Sequence, residues 1–112
     1  MEDCIFCKIV KGEIPSQKVY EDENVFAFDD INPVSPKHVL VIPKKHVASL
    51  AESCDGHRDL LGDLLCRARA IAYELGLKDY RLVINNGREV GQTVFHLHVH
   101  LMGGRFFSWP PG

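Results

Sequence analysis

Long apolar runs are missing from this sequence of 112 residues. None approaches the roughly 18 residues that a membrane-spanning helix needs. The start MEDCIFCKIV has no basic stretch followed by an extended apolar core, so neither a bilayer anchor nor an export signal is expected. Charge of one sign is missing as well. Thirteen Lys and Arg against 15 Asp and Glu leave a formal net charge of -2, which offers no general pull toward nucleic acid or an anionic membrane. Any anionic ligand would have to be met by local donors. Low-complexity tracts, internal repeats and linker-like stretches are also absent, so residues 1–112 are expected to form one domain, cytoplasmic and without membrane or nucleic-acid partners. Cysteine is limited to Cys4, Cys7, Cys54 and Cys66. In a reducing compartment the close pair Cys4 and Cys7 points to a metal or redox site more than to a disulfide, and the other two read as inert thiols.

The chain that remains alternates short β-type runs with one long helical pattern. Residues from Phe6 to Lys11 have an apolar side and are stopped by Gly12 and Pro15, which predicts a short N-terminal helix. Val19 to Glu21 and Val25 to Phe28 flank the polar Asp22-Glu23-Asn24 and read as a hairpin. Pro33 and Pro36 force an extended loop before His38 to Ile42, whose nearly continuous apolar run suits a central strand. Leu60, Leu61, Leu64, Leu65, Ala68, Ile71, Ala72 and Leu75 recur at steps of three and four, predicting a helix from about His57 to Leu75 capped by Gly76. Tyr80 to Ile84 and Thr93 to Met102 are expected as the last two strands. The class is α+β, an antiparallel sheet with a helix on one face.

"FHLHVHLMGG" carries the strongest chemical signal. On a strand, His96, His98 and His100 share one side while Leu97, Val99 and Leu101 face the core, which would leave the imidazoles on an open face. Three such imidazoles can line a solvated surface, bind a metal such as catalytic zinc, or divide into a nucleophile and its helpers. Just upstream, "NNGREVGQTVFH" supplies an amide, a hydroxyl and Gly-exposed backbone N–H groups, the neutral donors that suit a phosphate. By spacing, the pair in "CIFC" is half of a tetrahedral metal site, two packed thiols, or a redox pair.

"HLHVHLM" fits the His-x-His-x-His-x-x signature, with x apolar, and so resembles the histidine triad (HIT) superfamily. "VLVIPKKHV", "VINNGREVGQTVFH" and "GGRFFSWPPG" resemble its Hint branch. The resemblance runs over nearly the whole chain. It implies the HIT fold, a five-stranded antiparallel sheet with one long and one short helix, pairing as a homodimer. The implied activity is hydrolysis of purine nucleoside 5′-phosphoramidates. His98 would be the nucleophile, with His100 near the phosphate and His38 orienting the nucleophile's second ring nitrogen. Asn85, Gly91, Gln92 and Thr93 would contact the phosphate, Asp30 the ribose hydroxyls with Ile31 beside it, and Ile5, Phe6, Ile9 and Phe28 the purine, with weak choice between adenine and guanine. Trp109 would reach toward the neighbouring subunit's site. In relatives with the N-terminal cysteine pair the resemblance implies a structural zinc, held here by Cys4, Cys7, His46 and His96, and no organic cofactor. The rivals are a nucleotide-binding scaffold dimer without turnover, a dinucleoside polyphosphate hydrolase or nucleotidyltransferase of the same superfamily, and a metal-dependent hydrolase built on all three histidines.

Overall fold

A computed structural model describes residues 3–112. Helix α1 (Ile5–Val10) starts at Cys4, whose Sγ accepts the Cys7 N–H at 3.3 Å. It ends where Gly12 takes a φ of +79° and the Glu13 N–H reaches back to the Lys8 carbonyl at 2.9 Å. Strands β1 (Lys18–Glu21) and β2 (Val25–Asp29) form the expected hairpin. Its turn closes because one Asp22 oxygen accepts the N–H groups of Asn24 and Val25, both at 2.8 Å.

After the proline loop come β3 (Lys37–Pro43), a 3-10 turn at Asp55–His57, and α2 (Arg58–Glu74). Leu64, Ala68, Ile71 and Ala72 are the buried face of α2, the four-residue ladder visible in the sequence. The Leu77 N–H closes on the Ala72 carbonyl at 2.9 Å, with Gly76 at φ +75°. Strand β4 (Tyr80–Val83), a 3-10 turn at Arg88–Val90 and β5 (Val99–Gly103) complete an open antiparallel sheet in the order β1-β2-β3-β5-β4. Among the described residues no helix is long and apolar enough to cross a membrane.

The sheet is covered on both faces. Val25, Ala27, Val39, Val41, Val99 and Leu101 point toward α2, while the alternate Phe26, Phe28, Leu40 and Ile42 pack against Phe6 and Ile9 of α1. Burial on both sides is why β3 reads as an unbroken apolar run rather than an alternating one.

The long last strand is shorter than expected. Residues 93–98 leave the ladder, because the Leu97 N–H donates to the Val47 carbonyl at 2.6 Å and the Gln92 side chain takes the Val94 carbonyl at 3.2 Å. Alternation nonetheless persists, with Leu97 in the α2 core and His96 and His98 on the α1 side, both edge-on to Phe6.

Candidate active site

Helix α1 overturns the open face. His96 is fully buried and His98 is 8% exposed. The Phe6 ring sits 5.2 Å from the His98 ring and 5.9 Å from that of His96. Beside them opens a cavity of about 610 Å³, large enough for a nucleotide-sized ligand. Ile5, Phe6, Ile9 and Phe28 form one wall, Asp30 and Ile31 the rim, and Thr93, His98 and His100 the polar end. Leu40, Ile14 and Val94 also line it and were missed, since short apolar residues carry no signal in sequence that separates a ligand wall from a core. Asn85, Gly91, Gln92 and Trp109 do not line it. Trp109 is 80% exposed on the tail.

Gln92 departs most from its expected role. Its side chain is buried, with Oε1 accepting the Gly87 N–H at 2.9 Å and Nε2 donating to the carbonyls of Ala48 at 2.9 Å and Val94 at 3.2 Å. The amide is spent on the backbone and has nothing left for a phosphate. Gly91, at φ +105°, lets the chain turn out of the 3-10 segment, and Asn85 stands close to it.

The hydrogen bonds assign the histidine tautomers. His98 Nδ1 lies 2.7 Å from the His96 carbonyl, an acceptor only, so Nδ1 carries the proton and Nε2 keeps its lone pair. His98, the expected nucleophile, is therefore oriented by the backbone of its own segment and not by His38. His38 instead accepts the Val34 N–H on Nδ1 at 3.1 Å, which puts its proton on Nε2, 2.9 Å from His100 Nδ1 and 3.4 Å from an Asp30 carboxylate oxygen. His100 Nδ1 is thus an acceptor and its Nε2–H a donor. Burial holds His98 and His38 below the usual imidazole range, Asp30 partly offsetting the effect. It pushes His100 down to about 4, helped by the neighbouring His98 and His38. At neutral pH the trio is uncharged, with one lone pair and one donor side by side at the cavity's polar end.

A second cluster forms behind Phe6. His96 Nδ1 lies 3.3 Å from Cys4 Sγ, 3.5 Å from Cys7 Sγ and 3.2 Å from His46 Nδ1, and His46 Nδ1 is 3.4 Å from Cys7 Sγ. Tetrahedral zinc at about 2.05 Å from nitrogen and about 2.3 Å from sulfur has ligand-to-ligand edges of about 3.3 to 3.8 Å, so the spacing fits. The chemistry fits too. His96 Nε2–H donates to the Pro43 carbonyl at 2.7 Å, which turns the Nδ1 lone pair inward among the thiols. Burial, with His46 and His98 beside it, pushes His96 down to about 4, and burial next to Cys4 pushes the Cys7 thiol up. Cys4, Cys7, His46 and His96 thus lie together, while Asp30, His38 and His100 form a separate group. The three histidines of the triad do not converge on one metal. Cys54 and Cys66 stand outside both clusters, Cys54 exposed and Cys66 half-buried.

A family model for the HIT domain matches residues 11–107. The chain belongs to the HIT family. It is 57% identical over 112 residues to an uncharacterized HIT-like protein of Synechocystis sp., covering 99% of this chain and 98% of that one. It is 53% identical to the 14 kDa zinc-binding protein of Zea mays, covering 96% and 87% of the two chains. Among solved structures, a HIT family hydrolase from Legionella pneumophila superposes with a TM-score of 0.96 at 49% identity, over 98% of this chain and all of that one. A histidine triad nucleotide-binding protein from Candida albicans gives 0.83 at 39% identity, over 98% and 85%. The HIT fold expected from the sequence is the fold observed.

Proposed function

We propose that residues 1–112 act as one HIT domain of the Hint branch, a cytoplasmic homodimeric hydrolase that cleaves the P–N bond of purine nucleoside 5′-phosphoramidates. The observation that carries this reading is the His98 Nδ1–H bond to the His96 carbonyl, which leaves the Nε2 lone pair free beside the donor Nε2–H of His100. Nε2 of His98 attacks the α-phosphorus. The P–N bond breaks, its electron pair goes to the departing nitrogen, and a proton from water at the cavity mouth completes the amine. Water then attacks the same phosphorus, the bond to Nε2 returns to the imidazole, and the nucleoside monophosphate leaves. His100 holds a phosphoryl oxygen through Nε2–H as charge builds there, and Thr93 offers a hydroxyl at the same end. Asp30 has carboxylate lone pairs for the ribose hydroxyls. The wall of Ile5, Phe6, Ile9 and Phe28 takes the flat base by contact, which favours purines without choosing between adenine and guanine.

Cys4, Cys7, His46 and His96 would hold a structural zinc in a closed four-ligand site, whose chemistry is to keep both thiols deprotonated and tie α1 to the chain around His46 and His96. The name of the maize relative supports this choice of metal. Edge strand β4 and the exposed Trp109 are where a second copy would pair and reach across. The test is turnover of a fluorogenic adenosine phosphoramidate by wild type and His98→Ala, with mass spectrometry of the quenched protein. Wild type should turn over and carry an added nucleotidyl mass, while His98→Ala does neither. A variant as fast as wild type would remove His98 as nucleophile, and a wild type that binds AMP without turnover would support the scaffold dimer instead.

A further inference from the structure

We infer that Arg105, which does not line the cavity, is a positioning residue that helps set the tautomers of His38 and His100 through the backbone of Val34. This rests on the proposed role of His100 as a donor to the substrate phosphate. Arg105 donates from Nε at 3.2 Å and from Nη2 at 3.0 Å to the Val34 carbonyl, and from Nη1 to the Phe106 carbonyl at 2.9 Å. Its guanidinium is also stacked 4.1 Å from the Phe107 ring centroid. Three of its nitrogens and its flat face are thus committed, which is unusual for an exposed side chain and lowers its freedom to let go.

Val34 is the pivot because it is held from both sides. Its carbonyl takes the fork of Arg105 while its N–H donates to His38 Nδ1 at 3.1 Å. It lies between Pro33 and Pro36, and the tail approaches that loop closely. A side chain at Gly104 would meet Pro36 at 2.9 Å. The fork therefore joins the chain just after β5 to the loop just before β3.

The consequence is chemical. With the Val34 N–H in place, His38 Nδ1 must accept, so its proton sits on Nε2 and is given to His100 Nδ1 at 2.9 Å. His100 then presents Nε2–H to the cavity. Without that N–H only the Asp30 carboxylate, 3.4 Å from Nε2, still favours that tautomer, and part of the population carries the His38 proton on Nδ1. In that part the Nε2 lone pair faces His100, and His100 protonates Nδ1 to answer it. His100 would then turn a lone pair, instead of a donor, toward the phosphoryl oxygen. One arginine on the tail thereby works with Asp30 to keep the cavity offering a proton and not a repulsive lone pair.

The experiment compares wild type, Arg105→Ala and Arg81→Ala. Arg81 is the control because it anchors the same tail, donating to the Ser108 carbonyl at 3.0 Å and facing Phe107, yet does not touch Val34. Ring 15N NMR of the ligand-free proteins reads the tautomers of His38 and His100 directly, whether or not the phosphoramidate is a substrate. Arg105→Ala should show mixed tautomers at both rings, and a kcat lower by about 10-fold with KM unchanged, since the base wall is untouched. Guanidinium added at millimolar concentration should restore part of the rate. Arg81→Ala should keep wild-type ring spectra. Wild-type ring spectra in Arg105→Ala, or equally altered ring spectra in Arg81→Ala, would overturn the proposal. Absence of turnover in wild type with altered spectra in Arg105→Ala alone would uphold the tautomer link and reject the phosphoramidase reading.

Discussion

Replacing Gln92 by Leu separates a structural amide from a phosphate ligand. The side chain has 1% of its surface exposed and satisfies three backbone groups, the Gly87 N–H and the carbonyls of Ala48 and Val94. Leu fills similar space but satisfies none of them. A buried backbone group left without a partner costs about 1 to 3 kcal/mol. All three lie on half-buried residues where water recovers part of the loss, so the lower end applies and the sum is about 3 kcal/mol. Unfolding entropy near 2.1 cal/mol/K per residue makes 1 kcal/mol worth about 4 °C in a chain of this length, so Tm should fall by about 12 °C. The assay is thermal unfolding followed by far-UV circular dichroism, paired with phosphoramidate hydrolysis well below the transition. If Gln92 served the phosphate, Tm would hold within about 3 °C while activity fell by 100-fold or more, and that result would refute the reasoning.

Chelation of the purified protein should lower Tm and raise KM for the nucleotide, because α1 carries both Cys7 and the proposed base contacts Phe6 and Ile9. Elemental analysis with a thermal scan checks it, and unchanged stability after complete metal loss contradicts it. The folded pKa of His100, about 4, lies below its ordinary 6.5, so between those values the unfolded chain holds more protons than the folded one. Stability therefore rises with pH across that window and is lost on acidification, and the urea midpoint should fall from pH 6.5 to 4, less steeply in His100→Asn. Phe6→Ala removes the ring that packs edge-on against Phe28 and His98 and should cost about 3 kcal/mol, read by urea titration, with KM raised more than kcat is lowered.

What the sequence made legible follows the range over which each signal acts. The hairpin was readable because Asp22 closes its own turn, and α2 because its buried ladder repeats within a single element. Continuous apolarity placed β3 in the middle of the sheet. The fate of residues 93–98 was not readable, because alternating side chains report which way they point and not which backbone receives the N–H. Leu97 gives its N–H to Val47, about fifty residues away in sequence. The open face failed for a related reason. Nothing within "FHLHVHLMGG" says that a six-residue helix at the other end of the chain lies over it. For Gln92, phosphate contact and loop support call for the same polar residue, and burial alone distinguishes them.

The partition of the three histidines has one further physical consequence. His96 faces two ways at once, its ring nitrogens toward the thiol cluster and Pro43 and its carbonyl toward His98 Nδ1 at 2.7 Å. A ligand set that holds the His96 ring therefore also holds the peptide that selects the His98 tautomer. The opposite end of the trio is set by a second backbone group, the Val34 N–H at 3.1 Å from His38 Nδ1. The His98 lone pair is set by a main-chain carbonyl, and the His100 proton by the Val34 N–H together with the Asp30 carboxylate 3.4 Å from His38 Nε2. The site therefore reaches neutral pH with a ring donor and a ring lone pair already distinguished, and without the large positive field that the composition lacks.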